Sequence, residues 1–283
     1  MKRSADISPL SVLLGQVDAV ADGAAPRGTV PTGFPSIDRL LGGGLRHGDL
    51  IALGGDVGSG KSSLALAIAL RAAEAKRGVA FFSGEMSRER VMERSLAIEG
   101  RARVDDLRAG SLEETTRAAV GAAVIRMRDV MPHIERIPED GAAAIENLID
   151  ERWQSELLVV DSLQALSPGE RARDEELAAA TQALKHLAIQ LDVAVLLTCH
   201  LPLLAARQDR RPQLDDFGAL GAVKQSSDVV LGLFREEMYE ASRGNEGATE
   251  LAVLKNRNGG TGYVDLYFYS KWLRFEDMLD PDR

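Results

Sequence analysis

The chain has 283 residues, 45% apolar and 27% charged, the balance of a globular protein long enough to bury a large core. Its net charge of -9 argues against a surface coated for nucleic acid or an anionic membrane, while leaving room for a narrow basic channel. The single cysteine, Cys199, excludes an intrachain disulfide and fits a reducing cytoplasm. No apolar run approaches the ~18 residues of a membrane span, and MKRSADISPL lacks the apolar core and cleavage site of a signal peptide.

In chain order, Ser8-Pro9 reads as a helix start, a capping hydroxyl followed by proline in the first turn. Leu10, Leu13, Leu14 and Val17 follow at helical spacing and form one apolar face. That face either folds back on the chain's own core or docks on a neighbouring copy. Residues 22–33, DGAAPRGTVPTG, read as a linker, so residues 1–27 form an arm ahead of a domain spanning 28–283. Strands are expected at 49–55, 78–85, 133–137, 157–162, 193–200, 228–235, 249–256, 263–269 and 272–275. Helices are expected at 61–77, 87–99, 112–128 and 174–191. Early alternation of strand and helix predicts an α/β fold, a mostly parallel sheet flanked by helices. The short late connections predict antiparallel strands added at one edge.

Residues 55–62, GDVGSGKS, match the phosphate-binding pattern G-x-x-x-x-G-K-[ST], with a strand before and a helix after. Gly55, Gly58 and Gly60 let the backbone turn so that N–H groups aim inward, and the helix N-terminus adds partial positive charge. The cradle therefore comprises Gly55, Asp56, Val57, Gly58, Ser59, Gly60, Lys61, Ser62 and Ser63, with Lys61 reaching the β- and γ-phosphates of ATP. Ser62 is the expected Mg²⁺ ligand. LLVVD places Asp161 beside the same ion at the carboxyl edge of the sheet. Glu85, after VAFFSG, faces the γ-phosphate if its strand neighbours the P-loop strand. His200 ends another strand at the same edge. No Cys/His cluster has the spacing of a structural zinc site. Near the C-terminus, Lys255 and Arg257 stand two residues apart before Asn258-Gly259-Gly260, so both cations point one way.

These segments, in this order, resemble the RecA-like ATPase domain of the DnaB-type hexameric helicases: TGFPSIDRLLGGGLRHGDLIAL (32–53), SGEMSRERVMERSLA (83–97), LLVVDSLQAL (157–166), KNRNGGTGYVDLYF (255–268) and LRFED (273–277). The resemblance implies that Glu85 polarises the attacking water and that His200 senses the γ-phosphate where the family usually has glutamine. It also implies that Lys255 and Arg257 reach into a neighbouring subunit's ATP, within a homo-oligomer of six. A cation supplied in trans can be worth ~10³–10⁵ in rate.

Three features depart from the family pattern. Only about 27 residues precede the domain, where the family carries a helical domain that docks primase. The P-loop is richer in glycine. The DNA-binding loop, usually Arg-Glu-Ser-Gly, here has Gly218, Ala219 and Leu220 at its first three positions, leaving Lys224 and backbone N–H groups as phosphate contacts. The expected activity is Mg²⁺-dependent ATP hydrolysis in a ring, coupled to translocation on single-stranded DNA. The alternative is an assembly or regulatory ATPase acting on a protein partner. A monomeric small-molecule kinase is opposed by the trans cations.

Overall fold

The computed structural model describes residues 9–23, 26–152, 154–167, 174–202, 207–240 and 244–278. Eleven strands and nine α-helices are assigned among them. A helix α1 (Pro9–Ala21) leads the chain, and Ser8, the expected cap, lies outside the described residues. Two short strands, β1 (Thr29–Val30) and β2 (Leu45–Arg46), pair antiparallel around α2 (Pro35–Leu40). The expected linker is therefore too long at its end. Val30, a β-branched residue paired with Leu45, is fully buried, and Thr32, just beyond the strand, is fully buried with its hydroxyl donating to Asp38 at 2.7 Å.

The main sheet begins with β3 (Leu50–Gly55), followed by α3 (Lys61–Glu74), β4 (Val79–Ser83), α4 (Arg88–Gly100), α5 (Val104–Ala109), α6 (Glu114–Met127) and β5 (His133–Arg136). Next come α7 (Ala142–Arg152), β6 (Leu157–Asp161), α8 (Asp174–Leu191), β7 (Ala194–His200), α9 (Ala222–Ser226) and β8 (Val229–Arg235). The chain closes with β9 (Ala248–Asn256), β10 (Gly262–Tyr269) and β11 (Arg274–Asp277). The strand order is β11-β10-β9-β8-β3-β7-β6-β4-β5, parallel from β8 to β5 and antiparallel from β8 to β11. The expected mostly parallel sheet with antiparallel edge strands is what forms.

Central parallel strands are buried on both faces and so read as continuous apolar runs. Alternation sorts their side chains between two cores. Ile51, Leu53, Phe81 and Val159 face one core with α3, whereas Leu50, Ala52, Phe82 and Val160 face the other with α7, α8 and α9. On α8, Leu177, Leu184 and Leu187 form the buried stripe. Asp174, Glu175 and Glu176 fill its first turn, where negative charge meets the positive end of the helix dipole.

Candidate active site

The register of the parallel strands gathers the chemistry at one edge. Gly55 at the end of β3 is level with His200 at the end of β7, and Asp161 at the end of β6 is level with Ser83 at the end of β4. The P-loop leaves β3 there and turns into α3 through Gly60, whose φ of 101° is open to glycine and strained for other residues. Gly58 also has a positive φ, 83°.

Within the loop, the Ser59 N–H donates to the Asp56 carbonyl at 3.1 Å. The Ser59 hydroxyl is buried without a hydrogen-bond partner, and Ser63 is buried at the base of α3. Asp56 accepts the Val57 N–H at 2.7 Å and the Tyr239 hydroxyl at 2.8 Å, and Val57 itself is exposed. Lys61 is 6% exposed and folds its ammonium onto the Gly55 and Asp56 carbonyls at 3.0 and 2.8 Å. Burial lowers its pKa, opposed by the nearby charge of Asp161. A buried ammonium curled against two carbonyls and an orphaned hydroxyl is a donor set suited to an anion.

Ser62 donates to Asp161 Oδ1 at 3.0 Å, and Thr198 donates to the same oxygen at 2.6 Å. Asp161 is 2% exposed. Burial raises its pKa, while the hydroxyls of Thr198 and Ser62 pull it down. The serine–aspartate pair expected to hold a divalent ion is thus already assembled.

Glu85 reaches this edge although the condition set for it, a strand next to β3, is not met. Its strand, β4, does not neighbour β3: β7 and β6 lie between them. The turn after Ser83 carries the carboxylate across β6 instead. Glu85 Oε1 accepts the Ser162 hydroxyl at 2.9 Å and stands 3.0 Å from His200 Nε2. Capping of α4 falls to Ser87, whose hydroxyl accepts the Arg90 N–H. The structure therefore brings Glu85, His200, Asp161, Ser62 and Lys61 together.

Lys255 and Arg257 are at the other end of the sheet. Lys255 is level with Val230 near the start of β8, and the Arg257 N–H donates to the Asp228 carbonyl at 2.9 Å. Asn258 donates to Asp49, just before β3, at 2.5 Å. A six-residue strand separates these groups from their own P-loop, roughly 20 Å at ~3.3 Å per residue. Neither cation serves its own chain's cradle.

Several contributors carry no motif. Gln164 clamps the His200 backbone, accepting its N–H at 3.0 Å and donating to its carbonyl at 3.4 Å. Thr198, Ser162 and Tyr239 matter only through partners distant in sequence. Arg94 on α4 is half-buried and within the field of Asp161; burial lowers its pKa. Its only sequence signal was a cation at buried-face spacing on α4. In the loop expected to touch DNA, Ala219 and Leu220 both have positive φ, 57° and 53°. Leu220 is exposed, and Lys224 is ion-paired with Asp215.

The family model for the DnaB-like helicase C-terminal domain matches residues 29–277. The chain belongs to that family. Among curated relatives, the replicative DNA helicase DnaB of Leifsonia xyli is 32% identical over 279 residues, 95% of this chain and 60% of its own length. That of Geobacillus stearothermophilus is 31% identical over 263 residues, 89% of this chain and 58% of its own length. The DnaB-family chain thus spans about three fifths of these relatives. Among solved structures, a DnaB-like replicative helicase superposes with a TM-score of 0.85 at 22% identity, covering 98% of this chain and 68% of that one. A KaiC-like protein from Pyrococcus horikoshii gives 0.63 at 16%, covering 89% and 99%. These two likenesses show the fold, the RecA-like arrangement expected from the sequence.

Proposed function

We propose that this chain hydrolyses ATP with Mg²⁺ in a ring of identical subunits and uses the cycle to move along or unwind single-stranded DNA. The observation that carries it is the division of charge across the sheet. The cradle, the Ser62–Asp161 pair and Glu85 lie at one edge, while Lys255 and Arg257 lie at the other. A ring that stacks one edge of a subunit near the opposite edge of the next completes every site from two chains. Membership of the family supports an oligomer, for which six copies is the proposed number, and the relatives' names as replicative helicases support DNA as the track.

In this reading the P-loop N–H groups and Lys61 bind the phosphates, with Ser59 adding its unpartnered hydroxyl. Ser62 and Asp161 hold Mg²⁺, which when bound offsets phosphate charge. Glu85 orients the attacking water and takes its proton. His200 shares a carboxylate oxygen with Ser162 and reports the γ-phosphate to Glu85 by exchanging one partner for the other. Arg257, with Lys255 beside it in the same segment, comes from the neighbouring copy. The apolar face of α1 is the element that docks between copies. Among the described residues no helix is long and apolar enough to cross a membrane.

The test is ATP turnover with and without single-stranded DNA, alongside strand displacement on a forked duplex. Turnover should rise several-fold with DNA and strands should separate. A flat response with no unwinding, in rings that hydrolyse ATP, overturns DNA coupling and leaves an assembly ATPase.

A further inference from the structure

Asp228 stands where β8, β3 and α8 meet, and it is 5% exposed. Its two carboxylate oxygens serve different neighbours. Oδ2 accepts the Leu50 N–H at 2.9 Å and the Lys185 ammonium at 2.7 Å. Lys185 also donates to the Gly48 carbonyl at 2.8 Å, so this oxygen ties the start of the P-loop strand to α8. Oδ1 accepts from the Arg257 guanidinium at 3.1 Å. Lys185 already balances the buried carboxylate, as a charge in that environment requires. Oδ1 is therefore left to aim a second cation.

Lys255 and Arg257 differ in what they still have to give. An ammonium has three donors. That of Lys255 faces the carbonyls of Lys224, Gln225 and Ser227 at 2.5, 3.3 and 2.6 Å, the carboxyl end of α9 and the turn after it. A guanidinium has five donors in a rigid fork. Arg257 commits one to Asp228 Oδ1 and one to the Gln225 carbonyl at 2.7 Å, and its side chain remains 51% exposed. Lys255 is saturated by its own chain. Arg257 is gripped yet keeps donors for a phosphate.

We propose that Asp228 is a positioning residue. Locked by Leu50 and Lys185, it presents Arg257 to the nucleotide bound by a neighbouring copy, and Lys255 fixes the end of α9 that forms the other wall of the grip. This rests on the shared site proposed above. The two cations are then not equivalent: Arg257 is the group lent to the neighbour, and Lys255 helps to build its mount.

Mixed rings test it. Asp228→Asn keeps an oxygen for Leu50 but drops the charge that aims Arg257. Its kcat should fall at least about tenfold, with KM for ATP held within about twofold, the split left by losing a group that acts in the transition state. Mixed with excess Glu85→Gln chains, whose Asp228 and Arg257 are intact, Asp228→Asn sites should regain turnover, because the defect lies in what a chain lends. Damage to a chain's own fold is not repaired by its neighbour. The double variant Asp228→Asn/Arg257→Ala should be no slower than Arg257→Ala alone. Arg257→Ala in the same mixture is the control. If it is not rescued, the shared site itself fails; if it is rescued and Asp228→Asn is not, Asp228 does not position Arg257. Should Asp228→Asn fail to fold, Asp228→Glu keeps the charge, shifts the aim by one methylene and faces the same mixing outcomes.

Discussion

In the proposed mechanism hydrolysis turns on Glu85, and two neighbours restrain its carboxylate. One carboxylate oxygen accepts the Ser162 hydroxyl and faces His200. A water-activating base tied to two neighbours is well oriented but partly quenched. Glu85→Gln retains the size and one acceptor of the side chain but cannot take a proton. It should bind ATP as tightly as the parent and hydrolyse it ~10²–10⁴-fold more slowly, the range for loss of a general base. Equilibrium binding of a fluorescent ATP analogue beside single-turnover hydrolysis separates the two effects, and near-normal turnover would remove Glu85 from the mechanism. Its position was legible in the sequence, but its path was not. The condition set for it, that β4 neighbours β3, is not met, because strand order depends on which crossovers pack, a non-local outcome. Gln164, Thr198 and Asp228 were silent for the same reason: each acquires meaning only from a partner many residues away.

Among the elements, strands with continuous apolar runs and α8 with its leucine stripe were legible, since burial on one or two faces writes itself into periodicity. The short α5 and α7 were not foreseen. α5 has no buried residue, and the buried face of α7 rests on Ile145 and Ile149 after an alanine-led start. The loop before α9 repeats the lesson. Gly218, Ala219 and Leu220 were read as loss of a charged pair, yet the sequence did not show that the remaining Lys224 is held by Asp215. Both side chains are substantially exposed, and pairs of that kind are weak and screened by salt. A DNA phosphate therefore competes readily for Lys224. Asp215→Ala should tighten single-stranded DNA binding and steepen its salt dependence by about 0.7 in log–log slope for each lysine released. Fluorescence anisotropy across a salt series measures both quantities. An unchanged slope would mean that Lys224 does not face the DNA.

At the scale of the whole molecule, the remaining question is what covers α1. Leu10, Leu13, Leu14 and Val17 are 75, 55, 61 and 57% exposed, although they occupy one side of a 13-residue helix. The reading in which this face folds back on its own core does not describe the structure. Each large aliphatic side chain moved from water to an apolar contact contributes roughly 1.5–3 kcal/mol, so docking this face on the next copy would supply much of the energy that holds neighbours together. Leu14→Glu/Val17→Glu places two charges in that contact. Neither side chain belongs to the buried cores, so the ATPase domain should fold unchanged, with a melting temperature near the parent's. Sedimentation velocity should show the oligomer dissociating toward the single chain, and turnover should fall with it, because each cradle loses the Arg257 of its neighbour. Raising protein concentration should restore both together. A double variant that remains fully assembled and active at the lowest measurable concentration would show that the sheet edges associate without α1.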